Sequence, residues 1–149
     1  MNQYVLVVLA FVGGVFLAMQ GGLNAHLGVI LKNPLMASAV AFFSSLVFAF
    51  ICIVVSVRDV PNLSELKEVP VYLWFTGGLC SVIGVSIYYY TIPKLGIATM
   101  ISLGLCGQLV FSLFAGQFGW LNLPIEPMTL KRIIGVVSMS IGIILITIK

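Results

Sequence analysis

Apolar residues gather into five long runs along the chain, and every Asp, Glu, Lys and Arg falls between or beyond those runs. A run of about 20 apolar residues crosses the hydrocarbon core of a bilayer as a helix. The pattern therefore predicts an all-α membrane protein with five transmembrane helices, at about residues 4–31, 35–57, 70–92, 96–118 and 130–148, the last with a basic start ahead of its uncharged run over 133–148. These runs leave almost nothing for a water-soluble domain, so residues 1–149 read as a single transmembrane domain.

Turn signals punctuate the runs. The first would be about 40 Å long against a core of about 30 Å, so it must tilt, bend or project. The doublets Gly13-Gly14 and Gly21-Gly22 offer places to bend, and Lys32-Asn33-Pro34 ends the run. The second run stops at Arg58-Asp59, and a polar loop over 60–69 follows. Pro70 suits the first turn of the third helix, which is expected to stop before Pro93-Lys94. Gly96 opens the fourth helix after a very short turn, and 119–127 reads as a loop. Thr129 can cap the fifth helix, whose Lys131 and Arg132 would snorkel to the headgroups while Lys149 anchors the far end.

Composition narrows the function classes. Only 7% of residues are charged, against roughly 25% in soluble domains. The net charge of +3 is spread over loops, which argues against a nucleic-acid partner. Cys52, Cys80 and Cys106 are isolated within apolar runs, so neither a disulfide framework nor a metal site is indicated. The first run has no basic segment before it and is longer than the apolar stretch of a signal peptide, so a retained first helix is expected. There is no dinucleotide fingerprint, P-loop, HExxH, nucleophile elbow or paired carboxylate within a span. An enzyme is not expected, nor a cofactor or metal. Voltage-sensing arginines and a potassium-type filter are missing as well.

The basic residues barely choose a side. Lys32, Lys94 and Lys149 share the face of the C-terminus, whereas Arg58, Lys67, Lys131 and Arg132 share that of the N-terminus. The positive-inside rule has little to act on. Either the N-terminal side is weakly cytoplasmic, or the chain inserts both ways and two inverted copies associate. The second reading is preferred, because an odd helix count with balanced loops is what an antiparallel assembly of inverted repeats requires.

Several polar and small residues recur at helical spacing. Ala10, Gly14, Ala18 and Gly22 form a small-residue stripe suited to helix packing, as do Ser138 and Gly142 in the last helix. About 120° around the first helix, Gln20 and Asn24 form a polar stripe that would line a substrate cavity or bond to neighbouring helices. In the third helix Trp74, Gly78, Ser81 and Tyr88 share a face that could cradle a ligand, extended by Tyr89 and Tyr90. Aromatic residues near span ends also form the ordinary interfacial belt. Gln108 lies among Gly104, Ser112 and Gly116, so it is expected to face protein or a cavity. Ser102 is a further minor contact. His26, the lone histidine, reads as interfacial.

Taken in order, Gln20-Gly21-Gly22-Leu23-Asn24, Asn33-Pro34, Trp74-Phe75-Thr76-Gly77-Gly78, Pro93-Lys94-Leu95-Gly96-Ile97-Ala98-Thr99, Gly107-Gln108 and Phe118-Gly119-Trp120 carry a resemblance. The chain resembles the five-helix YdcZ-type proteins of the drug/metabolite transporter superfamily. That resemblance implies half of a ten-helix transporter, pairing with itself or a similar chain, and small organic substrates. It leads one to expect Asp-His before Phe118-Gly119-Trp120, where this chain has Gly116-Gln117. The related four-helix multidrug exporters carry a membrane-embedded glutamate in the first helix; here that region offers only Gln20 and Asn24. A neutral amide cannot exchange substrate for a proton, so that coupling is not carried over.

The resulting expectation is a multi-pass protein of the bacterial inner membrane, embedded in lipid. It would move small drugs or metabolites by alternating access as an antiparallel homodimer. Gln20, Asn24 and Gln108 would supply polar contacts, Trp74 and Tyr88 aromatic walls, and Ser81 and Ser102 minor ones. The rivals are a heterodimeric transporter built with a similar chain and a non-transporting membrane assembly subunit.

Overall fold

A computed structural model describes residues 2–122 and 124–147. Among these residues six α-helices follow one another: α1 (Gln3–Ile30), α2 (Pro34–Ser56), α3 (Leu63–Glu68), α4 (Thr76–Leu95), α5 (Ile97–Phe118) and α6 (Leu130–Thr147). Short 3₁₀ turns precede α4 at Val71–Trp74 and follow α5 at Trp120–Asn122. No strand occurs among the described residues. Among the described residues, five segments are long and apolar enough to cross a membrane: α1, α2, Val71–Leu95, α5 and α6. The fold is an all-α membrane fold. The Lys149 anchor and Ile148 lie outside the described residues.

The chain divides into two compact units, Met1–Lys94 and Leu95–Lys149. In the first, α1 runs unbroken through both glycine doublets and ends at a tight hairpin. Lys32 takes a left-handed φ of 53°, which turns the Asn33 N–H back to Gly28 O at 3.0 Å. Asn33 then caps α2, its Oδ1 accepting from Leu35 N at 2.9 Å and Met36 N at 3.3 Å, with Pro34 in the first turn. One residue closes one helix and opens the next.

That hairpin presses two small-residue faces together. Gly21, Ala25 and Gly28 are buried on α1, and Ala37, Ser38 and Ala41 on α2. A Cβ at position 28 would stand in contact with α2, 3.4 Å from Pro34 Cα and 3.5 Å from Ala37 Cβ, so the site has no room for a side chain much larger than that. The expected stripe lies partly beside this face. Ala10 and Gly14 are exposed, while Ala18 and Gly22 are half-buried.

Two segments differ from the sequence pattern for local reasons. The polar loop over 60–69 contains α3, because Asn62 and Glu65 stand at capping-box spacing and the Asn62 N–H donates to Glu65 Oε2 at 3.0 Å. The third span opens on a 3₁₀ turn, with Leu73 N to Pro70 O at 3.0 Å and Phe75 N to Tyr72 O at 3.2 Å. Its helix also runs past Pro93 to Leu95. Proline costs less there than in mid-helix, since only the last turn loses a hydrogen bond.

In the second unit Gly96 adopts φ 86°, ψ 152°, a conformation open to glycine, and starts α5. Gly119 ends α5 in the left-handed region. The loop beyond folds back on the helix end: Glu126 N donates to Gly116 O at 2.9 Å, and Met128 N donates to Gln117 Oε1. Thr129 Oγ1 accepts from Arg132 N at 3.4 Å at the start of α6. Along the α5–α6 contact, Cys106 Sγ and Ser140 Oγ are 3.5 Å apart and Ile143 is buried.

Candidate functional site

Polar side chains inside the spans of the first unit converge. Gln20 and Asn24 are one helical turn apart on α1, so both point to the same side. Their Nε2 and Nδ2 atoms donate to the phenolic oxygen of Tyr89 on α4, at 3.1 Å and 3.0 Å. Tyr89 is only 3% exposed, whereas the two amides are half-buried. Next to Tyr89 along α4, Ile92 is also buried, and its Cδ1 would lie 3.6 Å from a Cβ at Gly21.

The cluster has unspent hydrogen-bonding capacity. Each carboxamide carries an acceptor oxygen and two donors. The oxygens of Gln20 and Asn24 accept nothing among the described residues, and neither is sealed from solvent. Exchanging N and O in one amide lets the Tyr89 O–H donate to it, and at least one donor and one acceptor still face outward. The group is electrically neutral.

A second polar link fixes α2 to α4. Ser38 is 1% exposed; its Oγ donates to Pro34 O at 3.0 Å and lies 2.9 Å from Ser86 Oγ. Ser86 and Tyr89 are three residues apart on one face of α4, so the two links share a side of that helix. The sequence reading singled out Tyr88 and Ser81 and passed over Ser86, Ser38 and the inward turn of Tyr89. The signal was present: Ser86, Tyr89 and Ile92 recur every three residues on one face.

The remaining candidates take different positions. Trp74 lies in the 3₁₀ turn and is exposed, as is Ser81; Tyr88 is half-buried. In the second unit Ser102 is half-buried and Gln108 exposed, while Ser138 is exposed and Gly142 half-buried. His26 is exposed near the end of α1. The three tyrosines part company. Tyr89 turns inward, and Tyr90 faces out with Lys94 Nζ 3.5 Å above its ring, an interfacial anchor.

The departure at Gly116-Gln117 has a steric counterpart. A Cβ at position 116 would touch the loop, 3.4 Å from Glu126 Cβ and 3.7 Å from Glu126 O, so a longer side chain there would have to pass Glu126. Glu126 in turn holds Arg132, Oε2 to Nη2 at 2.7 Å. No group of three or more His, Cys, Asp or Glu placed to hold a metal occurs among the described residues.

No curated protein and no solved structure matches the chain. A protein-family model, DMT_YdcZ, described as "Putative inner membrane exporter, YdcZ", matches residues 5–145. With nearly every residue of the five spans inside that match, the chain belongs to the YdcZ family and is a multi-pass inner membrane protein with a transport role.

Proposed function

We propose that the chain forms half of a ten-helix transporter, pairing with an inverted copy of itself and moving small organic molecules by alternating access. The observation that carries this reading is the neutral cluster of Gln20, Asn24 and Tyr89, held inside the apolar first unit with hydrogen-bonding capacity to spare. Amide and phenol groups fit a neutral, zwitterionic or amphiphilic metabolite, for which they offer both donors and acceptors and impose no net charge. Trp74, Ser81 and Tyr88 complete the proposed lining in the first unit, and Ser102 and Gln108 are the proposed substrate contacts of the second.

Two features support pairing. The stripe of Ala10 and Gly14 stays open on α1, with nothing within 4 Å of a Cβ built at Gly14, and that is a surface another helix backbone can approach. The basic loop residues are nearly balanced between the two sides, as dual insertion requires. The test is two-sided labelling of single-cysteine variants in the loop over 62–68, in intact cells and in inverted vesicles. Labelling from both sides is expected. Labelling from one side alone would remove the antiparallel homodimer and transfer the proposal to a heterodimer with a similar chain. Absence of solute flux in reconstituted vesicles, with copurification of an unrelated membrane complex, would favour an assembly subunit instead.

A further inference from the structure

The second unit contains a groove that the proposed substrate path does not use. It has a volume of about 430 Å³ and lies between α5 and the first half of α6. Leu109, Leu113, Val136 and Met139 give it apolar walls, and Glu126 and Arg132 stand at one end. From Arg132 to Met139 is about 10 Å along the helix, so the groove runs from charged groups into the depth of the acyl region. Trp120 stacks on Phe118 at 5.8 Å at the same end of α5, where aromatic rings mark the headgroup level.

The charged end is built and only partly used. Glu126 is fixed through its backbone, whose N–H bonds to Gly116 O at 2.9 Å, and its Cβ packs where Gly116 has no side chain. Its Oε2 meets Arg132 Nη2 at 2.7 Å, and both side chains remain open, at 60% and 42%. This is the only partner of either side chain among the described residues. Arginine has five N–H donors and carboxylate about four acceptor sites, so each can hold a second group.

We infer that this groove binds a zwitterionic glycerophospholipid with a primary ammonium headgroup, of the phosphatidylethanolamine class. The phosphate accepts from the Arg132 guanidinium, the ammonium donates to the Glu126 carboxylate, and one acyl chain lies along Leu109, Leu113, Val136 and Met139. The charges of headgroup and protein pair are complementary in order and cancel. A choline headgroup has no N–H to give Glu126. An anionic glycerol headgroup has hydroxyls to donate to Glu126 but no cation to pair with it, so the carboxylate faces a lipid of net negative charge. Such a lipid would tie the α5–α6 loop to the membrane surface independently of any substrate.

Native mass spectrometry of the purified full chain, titrated with phosphatidylethanolamine, phosphatidylcholine and phosphatidylglycerol of identical acyl chains, tests the assignment. Phosphatidylethanolamine is expected to bind about tenfold more tightly than phosphatidylcholine, the change carried by one charge-assisted hydrogen bond. Glu126→Gln should erase that preference, and Arg132→Gln should weaken both lipids. Ser112→Leu fills the groove wall without touching the ion pair and should weaken all three lipids while circular dichroism stays unchanged. If Arg132→Gln does not fold, the other two variants still decide. Equal affinity for the three lipids, tighter binding of phosphatidylglycerol, or indifference to Glu126→Gln and Ser112→Leu would overturn the assignment.

Discussion

Asn24 and Tyr89 are 65 positions apart in the chain, and the Asn24 amide donates to the Tyr89 phenol at 3.0 Å. Gln20 donates to the same oxygen, so one hydroxyl organises two amides from the first span. Removing it leaves both without their partner in a partly apolar setting. Tyr89→Phe should therefore cost about 1–3 kcal/mol of stability, whereas Tyr88→Phe leaves this cluster intact. Thermal unfolding of the two variants in detergent checks the contrast. Unchanged stability in Tyr89→Phe would mean that the cluster contributes little.

Gln20→Ala and Asn24→Ala separate binding from packing. If the outward-facing donors and acceptors contact substrate, each variant loses flux through proteoliposomes more steeply than it loses expression. The readout is mass-spectrometric, from vesicles loaded with a panel of neutral and zwitterionic metabolites. Equal loss of folded protein and flux would assign the amides to helix packing alone. A double-mutant cycle with Tyr89→Phe measures their coupling, expected at about 0.5–3 kcal/mol for residues in one network.

The spans were legible because bilayer thickness imposes a length and a polarity that any reader of the chain can find. The amide pair was legible for a related reason, since two carboxamides one turn apart on a membrane helix need a partner. Which partner was not legible. Tyr88, Tyr89 and Tyr90 are alike in composition, and only the rotation of α4 decides that the middle one turns inward, on the side where Ile92 is also buried. Ser38 and Ser86 escaped notice because serine is common in membrane helices and usually bonds its own backbone, as Ser44 does to Ala41 O at 3.0 Å. In α1 both Gly14 and Gly28 belong to small-residue patterns, and spacing alone cannot say which meets a helix of the same chain.

That last ambiguity yields a paired test. Gly28 lies against Pro34 and Ala37, and the nearest atom is backbone, which cannot rotate away. Gly28→Leu should force the α1–α2 hairpin apart at a cost of about 1–3 kcal/mol or more. Gly14→Leu meets nothing within 4 Å and should leave the single chain as stable as before. If α1 packs on a second copy through its open stripe, Gly14→Leu instead weakens dimerisation, read by single-molecule photobleaching in vesicles. Unchanged dimer populations in Gly14→Leu would exclude that face from the pair.

The energetics of transport should also bear the mark of a neutral site. Asp59, Glu65, Glu68 and Glu126 all lie outside the five membrane-crossing segments, so no side-chain carboxylate within a span can trade a proton for substrate. His26 is the one histidine, and it is exposed near the end of α1 and makes no bond to the cluster. Flux of a neutral metabolite through proteoliposomes should therefore be the same with and without an imposed pH gradient, and His26→Asn should not change that result. Collapse of flux when the gradient is dissipated would require a proton carrier on the substrate path. Its disappearance in His26→Asn would identify that carrier and displace the amide cluster from the centre of the mechanism.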